Sequence, residues 1–318
     1  MVRVGTTRHT DPAALGPSLI DEIESVLRRE GVLPAGTRAP VNLHLGRSML
    51  LEFFPAGTAP VAVKAVSDDP DAANSLRREF DALSLQLPSY ADLIPKPLTL
   101  TSTGAVTLFA MENISHRNLG IAELDRLPDA RVDRLVAFLT DRDKPLPAGL
   151  ENAPNILDQY MEARSSLPPA LAQTMADLEA SRDWRGKLAA LKPVPQHSDL
   201  SMNNIGLCKN GVIVFDWEDY GNVVLPGFDF LTLVLSGLKF SAEAVEVYVK
   251  THMESTDHPG AWCRTVADAL NLNTGHAFDF AMITAIVFLD QKKKLGYGTK
   301  ITGYLEQMLS DAATRFFR

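Results

Sequence analysis

Residues 194–216 read VPQHSDLSMNNIGLCKNGVIVFD. The first half has neither a helical nor a strand period. His197, Ser198, Asp199, Ser201, Asn203 and Asn204 are polar, and only Leu200 and Met202 interrupt them. The second half is two short apolar runs, IGLC and VIVFD, around Asn210-Gly211, a pair that accepts the positive φ a tight hairpin turn demands. Polar groups crowded between apolar strand ends are costly to desolvate unless they bind something. Asp199 and Asn204 on one loop, with Asp216 at the end of the following hairpin, form a hard oxygen donor set. Such a set suits Mg²⁺, which takes one or two carboxylates and leaves its other positions to water and phosphate oxygens.

Upstream of this stretch the chain changes period twice. PSLIDEIESVLRRE (17–30) puts Leu19, Ile20, Ile23, Val26 and Leu27 on one helical stripe, with Pro17 suited to the first turn and Gly31 to the end. VNLHL (41–45), MLLEFF (49–54) and VAVKAV (61–66) are short, rich in β-branched and aromatic residues, and separated by turn residues, so they read as an antiparallel meander. A helix over 71–87, with Leu76, Phe80, Leu83 and Leu87 toward a core, precedes two more strands at 96–101 and 105–111. After Asn113 the pattern is helical, with helices expected over 129–142, 154–166, 169–191, 242–255, 259–270, 277–294 and 298–316. The fold class is therefore α+β: a small antiparallel sheet with one main helix, then a larger, mostly helical part interrupted by the loop and hairpin.

Composition narrows the function. The chain has 318 residues, enough for two lobes. With 31 Lys+Arg against 39 Asp+Glu its formal charge is −8, which argues against nucleic acid and an anionic membrane as partners. Two cysteines, Cys208 and Cys263, make neither a disulfide framework nor a cysteine zinc site. The N-terminal residues lack the apolar core of a signal peptide. The greasiest run, Phe280 to Leu289, is too short to span a bilayer. A cytoplasmic protein is expected.

The loop HSDLSMNN matches the protein-kinase catalytic signature H-R-D-L-x-x-x-N at every specified position except that Ser198 stands for Arg. VAVK at 61–64 resembles the strand that carries the phosphate-pairing lysine. Asp216-Trp217-Glu218-Asp219, followed by Pro226-Gly227-Phe228-Asp229-Phe230-Leu231, is similar to the aminoglycoside phosphotransferase and choline kinase branch of that superfamily. There the loop commonly reads H-G-D-L-H-x-x-N, so Ser198 and Ser201 replace a frequent Gly and His. The resemblance spans about 40 to 235.

What the resemblance implies is a bilobal, protein-kinase-like fold. Residues 1–112 form a nucleotide-binding lobe, with the helix 17–30 at its start. Residues 113–318 form a helical lobe, with the catalytic loop at 195–204 and the metal-binding hairpin at 205–219. The cofactors are ATP or GTP, and Mg²⁺. Asp199 accepts or orients the acceptor hydroxyl's proton, while Asn204 and Asp216 hold metal ions. Lys64 pairs with phosphates and Glu79 orients Lys64. Met111, Glu112 and Asn113 supply backbone hydrogen bonds to adenine. No glycine-rich phosphate loop is evident, and in LGRSM (45–49) Ser48, with Arg47, is the candidate phosphate contact. His197 and Asp229 support the loop. Glu218 and Asp219 are either solvated or face the substrate.

Only twelve residues follow Asp216 before Asp229 and no A-P-E element occurs, leaving little chain for a peptide platform. The expected acceptor is a small hydroxylated molecule: an antibiotic of the aminoglycoside, macrolide or nucleoside type first, a metabolic alcohol, amino alcohol or sugar second. A catalytically silent nucleotide-binding pseudokinase is the rival from another class. The acids Glu243, Glu246, Glu254, Asp257, Asp268, Asp279 and Asp290, were they to converge, favour a cationic acceptor. Lys292-Lys293-Lys294 reads as a solvated last helical turn, and Cys208 as a small core residue on a hairpin strand.

Overall fold

The computed structural model describes residues 17–36, 39–45, 49–67, 70–103, 106–147, 155–254, 261–272 and 277–316. The chain divides into two compact units. One comprises the residues up to His116 together with Phe215–Asp219, and the other comprises Arg117–Val214 and Tyr220 onward.

The first unit is a five-stranded antiparallel sheet with a helix on each face. Helix α1 (Pro17–Arg29) precedes strands β1 (Val41–Leu45), β2 (Met49–Phe53) and β3 (Val61–Ser67). Helix α2 (Pro70–Tyr90) then leads to β4 (Pro97–Ser102) and β5 (Val106–Glu112), and the strand order is β1-β2-β3-β5-β4. Successive side chains of a strand point to opposite faces, and β3 uses that alternation to serve two purposes. Val61, Val63 and Ala65 join Ile20, Ile23 and Leu27 of α1, with Leu43, Leu51 and Phe53, in one buried apolar cluster. Lys64, paired in register with Leu50 and Phe109, takes the other face. There α2 packs, with Leu76 and Leu83 buried and Phe80 edge-on to Phe109. Helix α2 runs one turn past the expected end at 87 and carries Pro88 inside its last turn.

In the second unit β6 (Arg117–Asn118), β7 (Ile205–Leu207) and β8 (Val212–Val214) form a three-stranded antiparallel sheet. The helices are α3 (Ile121–Leu124), α4 (Asp129–Thr140), α5 (Ile156–Ser165), α6 (Pro169–Arg182) and α7 (Trp184–Ala189), then α8 (Phe228–Gly237), α9 (Ala242–Tyr248), α10 (Ala261–Ala269), α11 (Ala277–Lys294) and α12 (Thr299–Phe316). Helix α11 is apolar on all sides and buried along most of its length, and it packs against α5, α8 and α12. Among the described residues no helix is long and apolar enough to cross a membrane.

Three expected elements differ. The helix foreseen over 169–191 breaks at Asp183, whose φ of 50° puts it in the left-handed region while its side chain accepts from Gly186 N and caps α7. The helix foreseen over 242–255 stops at Tyr248 and continues as a π-turn, Val249–Glu254. The hairpin is shorter than 205–219: its strands end at Val214, and Trp217–Asp219 forms a single 3₁₀ turn. Cys208 lies just past β7 and is half-buried, so it is not a core residue.

Gly237 ends α8 against α3. A Cβ at that position would come within 2.7 Å of Ile121 Cβ, an atom fixed to the backbone of a neighbouring helix. Gly237→Ala is expected to lower stability by about 1–3 kcal/mol, since overpacking has no flexible side-chain end to displace. An unchanged urea midpoint would contradict the contact.

Candidate functional site

In the first unit three chemistry-bearing side chains meet. Lys64 Nζ donates to Glu79 Oε1 at 2.8 Å and Oε2 at 2.7 Å, and to Asp216 Oδ1 at 2.7 Å. The sequence places them there in steps. The inward period of β3 aims Lys64 at α2, and one α2 residue further than Arg78 brings Glu79 under it. The chain leaving β8 returns as Phe215–Asp219 to the same unit. Glu79 is 1% exposed, whereas Asp216 keeps 40% of its side chain accessible. Burial acts to strip the Lys64 proton, but the charges of Glu79 and Asp216 reverse that effect and hold the ammonium well above its ordinary range. Burial raises Glu79 to about 7, with Asp216 and Glu218 pushing the same way and Lys64 opposing.

Asp216 adopts a φ of 64°, a left-handed backbone that a non-glycine residue enters at a cost of about 1–3 kcal/mol. Glu218 accepts from Ser75 Oγ on α2. Asp219 is buried, so the solvated reading of that pair does not hold for it.

Asn113 N donates to Pro60 O at 3.0 Å and Glu112 N to Lys96 O at 2.9 Å, while Met111 is paired within the sheet. The N–H groups of Glu112 and Asn113 are therefore paired within the protein. Ser48 lies outside the described residues.

In the second unit the loop 195–204 is held from below by Asp229, at the first turn of α8. Its carboxylate accepts from His197 N at 2.7 Å and Ser198 N at 3.0 Å, and it is fully buried. Gln196, which the sequence did not single out, closes the arrangement by accepting from Asp229 N at 3.2 Å. Ser198 has a φ of 71°, which explains why a glycine suits this position in similar sequences. Its hydroxyl compensates by accepting from Val223 N and donating to Gln196 O. His197 Nδ1 accepts from Asp199 N at 3.3 Å, leaving the ring proton to Nε2. Asn204 Nδ2 donates to the Asp199 carbonyl at 2.8 Å, and the amide oxygen is its remaining acceptor.

The Asp199 carboxylate is not alone. Lys292 Nζ donates to Asp199 Oδ1 at 2.6 Å, and both side chains are largely buried. Sequence reading placed Lys292 in a solvated helix end. The structure corrects this: only Lys294 is exposed, Lys293 pairs with Glu306, and Lys292 is 2% exposed. The two residues of the ion pair are 93 positions apart, and nothing local to either end signals that contact.

Lys144, on the segment after α4, is a second buried lysine. Its Nζ has no hydrogen-bond partner and stands 4.1 Å from the centroid of the Phe138 ring. The acids expected to line a cationic pocket do not stand uncompensated either. Asp279 pairs with Arg182 and Lys187, Asp290 with Lys294, Glu246 with Lys250 and Arg315, and Glu243 with Arg315. Asp268 is exposed, and the side chains of Glu254 and Asp257 lie outside the described residues.

In the first unit Asp216 offers a partly open carboxylate, a hard ligand of the kind Mg²⁺ takes alongside phosphate oxygens. In the second unit Asn204 carries an amide oxygen of the same hard type. Among the described residues no cluster of three or more His, Cys, Asp or Glu side chains forms a self-sufficient metal cage.

Comparison with known proteins places the chain in a family. The phosphotransferase enzyme family model (APH) matches residues 56–269, and the chain belongs to that family. It is an ATP-dependent phosphotransferase with an alcohol group as acceptor, and its fold is the protein-kinase-like one. The chain is similar to APH(2")-IIa in its streptomycin–ATP ternary complex, at 16% identity and TM-score 0.56, covering 93% of this chain and 97% of that one. It is similar to aminoglycoside 2'-phosphotransferase-IIIa in its GDP complex, at 15% identity and TM-score 0.58, covering 93% and 100%. Choline kinase LicA from Streptococcus pneumoniae aligns at 15% identity and TM-score 0.56, covering 94% and 99%. No curated protein matches the chain.

Burial lowers the Lys144 ammonium to about 8, against the weaker opposing pull of Asp229 and Asp141. A lysine whose folded pKa lies below its unfolded value of 10.5 penalises the fold fully below about pH 8. The penalty is relieved as pH rises from 8 toward 10.5. Relative to Lys144→Met, the wild type should therefore gain stability over that window, by on the order of 3 kcal/mol in total. Parallel urea-midpoint profiles for the two proteins across it would refute the assignment.

Proposed function

We propose that the chain is a small-molecule kinase in which the first unit, corresponding to a nucleotide-binding lobe over 1–112 with Phe215–Asp219 added, holds Mg·ATP. Residues from 113 onward supply the acceptor side. The observation that carries the reading is the Lys64–Glu79–Asp216 cluster: a buried ammonium fixed by one buried and one accessible carboxylate. In phosphoryl transfer the transition state is loose and rich in charge, so positioned cations and oriented nucleophiles do most of the work. Lys64, held in place by Glu79, binds phosphate oxygens. Asp216 and Asn204 are the residues that would hold Mg²⁺, which when bound neutralises charge on the β- and γ-phosphates. Asp199 orients the acceptor hydroxyl and takes its proton as the oxygen–phosphorus bond forms. The bond from the γ-phosphorus to the bridging oxygen breaks, and ADP leaves.

The short Asp216–Asp229 segment favours a small acceptor over a polypeptide. The presence of Lys64, Asp199, Asn204 and Asp216 together favours an active enzyme over a pseudokinase. Relatives of the same fold are named for aminoglycosides and for choline, which are cationic acceptors. Here Glu243, Glu246, Asp279 and Asp290 are each matched by arginine or lysine. That neutralisation favours the second acceptor class, a metabolic alcohol or sugar, over a polycationic aminoglycoside.

Asp199→Asn keeps the size of the side chain and removes the base, so kcat should fall about 10²–10⁴-fold with the circular dichroism spectrum retained. Wild-type turnover in this variant would remove Asp199 from the mechanism. Asp216→Ala should abolish the Mg²⁺-dependent part of the ATP-induced rise in Tm. If ATP with Mg²⁺ stabilises the variant as it does the wild type, Asp216 is not a metal ligand.

A further inference from the structure

Lys292 is the one strong feature near the catalytic loop that phosphoryl transfer as described above leaves unused. It projects from the last turns of α11, the most completely buried helix of the second unit, and its Nζ lies 2.6 Å from Asp199 Oδ1. Its surroundings are otherwise aromatic: the Tyr297 ring centroid is 4.2 Å away and that of Phe288 5.0 Å. An ammonium has three donors. Among the described residues only Asp199 takes one of them by hydrogen bond. A charge this deeply buried is costly unless its remaining donors meet acceptors. The protein supplies two ring faces in their place, so two of the three donors have no oxygen ligand among the described residues.

We infer that Lys292 is an acceptor-binding residue that selects a hydroxylated small molecule bearing an anionic group, a carboxylate or a phosphate, close to the hydroxyl that is phosphorylated. The inference rests on the kinase reading above and deepens it. Three facts support it together. The ammonium stands beside Asp199, the residue given the acceptor hydroxyl above, and two of its three donors have no hydrogen-bond partner among the described residues. Of the acids that could attract an amine, Glu243, Glu246, Asp279 and Asp290 are already paired. The burial of the ammonium beside two rings lowers the local dielectric, which strengthens whatever charge pairing it makes. An incoming carboxylate binds the open donors of Lys292 while its neighbouring hydroxyl reaches Asp199. One lysine thus ties the charge of the substrate to the position of its nucleophile.

The test uses the full chain with Mg·ATP labelled in the γ-phosphate. A small-molecule library and a deproteinised cell extract are first separated by ion exchange into anionic, neutral and cationic pools. Label is expected in the anionic pool. With the acceptor recovered from that pool, Lys292→Met should raise the acceptor KM at least tenfold and leave the ATP KM unchanged, and Lys292→Arg should restore part of the loss. Label absent from the anionic pool overturns the inference, as does a Lys292→Met variant whose acceptor KM is unaltered. A rise in Tm with Mg·ATP, measured on the same preparations, separates this failure from that of the kinase reading. If Mg·ATP raises Tm and only the neutral or cationic pool is labelled, the enzyme stands and the charge selection falls. If Mg·ATP binds neither wild type nor variant, both fall.

Discussion

A lysine ammonium at the centre of a sheet face is unstable by itself, and in this chain the desolvation of Lys64 is offset by two carboxylates from distant points of the sequence. Glu79 comes from α2 and Asp216 from the segment after β8, more than a hundred residues later. With both carboxylates ionised the three charges sum to minus one, with the excess on the accessible partner. That imbalance is useful. A fully neutral buried pair would have no electrostatic reason to recruit a cation, whereas an accessible carboxylate already partly committed to a lysine can exchange that partner for a metal ion and a phosphate. Breaking such a buried arrangement by removing one member is costly, because it leaves an uncompensated charge behind. The segment Phe215–Asp219 is thereby tied to the sheet unit although the strand leading into it belongs to the other.

The loop around Asp199 is stabilised on a different principle. Its backbone is strained at Ser198, and strain of this kind persists only where surrounding bonds over-determine it. Asp229 provides two charge-assisted hydrogen bonds to consecutive N–H groups, Gln196 ties Asp229 back, and the Ser198 hydroxyl bonds on both sides. All of these partners are buried. The loop is consequently fixed next to Asp199 by buried hydrogen bonds to its backbone.

Much of this was legible in the residues. The period-two strands, the switch to helical period, the Asn210-Gly211 turn and the acid, amide and lysine positions are all local patterns, set by sterics and burial within a few residues. What was not legible depends on contacts that no local window contains. The break at Asp183 arises because a polar side chain found a helix start to cap in the middle of an otherwise continuous helical pattern. Cys208 fell outside its strand because the hairpin turn took one residue more than the apolar run suggested. Lys292 belongs to a run of three lysines whose natural reading is a solvated helix end. Which of the three turns inward is decided by the rotation of α11 about its own axis, and that is fixed by packing against α5, α8 and α12.

That rotation has a chemical consequence. Phosphotransferases of one fold can share a loop and a metal-binding strand while differing in acceptor, because the acceptor is met by side chains from helices that carry no motif. In this chain the helix faces are strongly compensated: lysines and arginines of α6, α7, α11 and α12 neutralise acids that sequence counting alone would assign to a cation-binding wall. A net charge of −8 therefore says little about the charge a ligand meets. What matters is the sign of the few buried groups whose hydrogen-bonding capacity the protein leaves open, and next to Asp199 that group is an ammonium. Low-dielectric surroundings amplify a single buried charge over many solvated ones, which is why the acceptor class proposed above rests on Lys292 and not on the net charge.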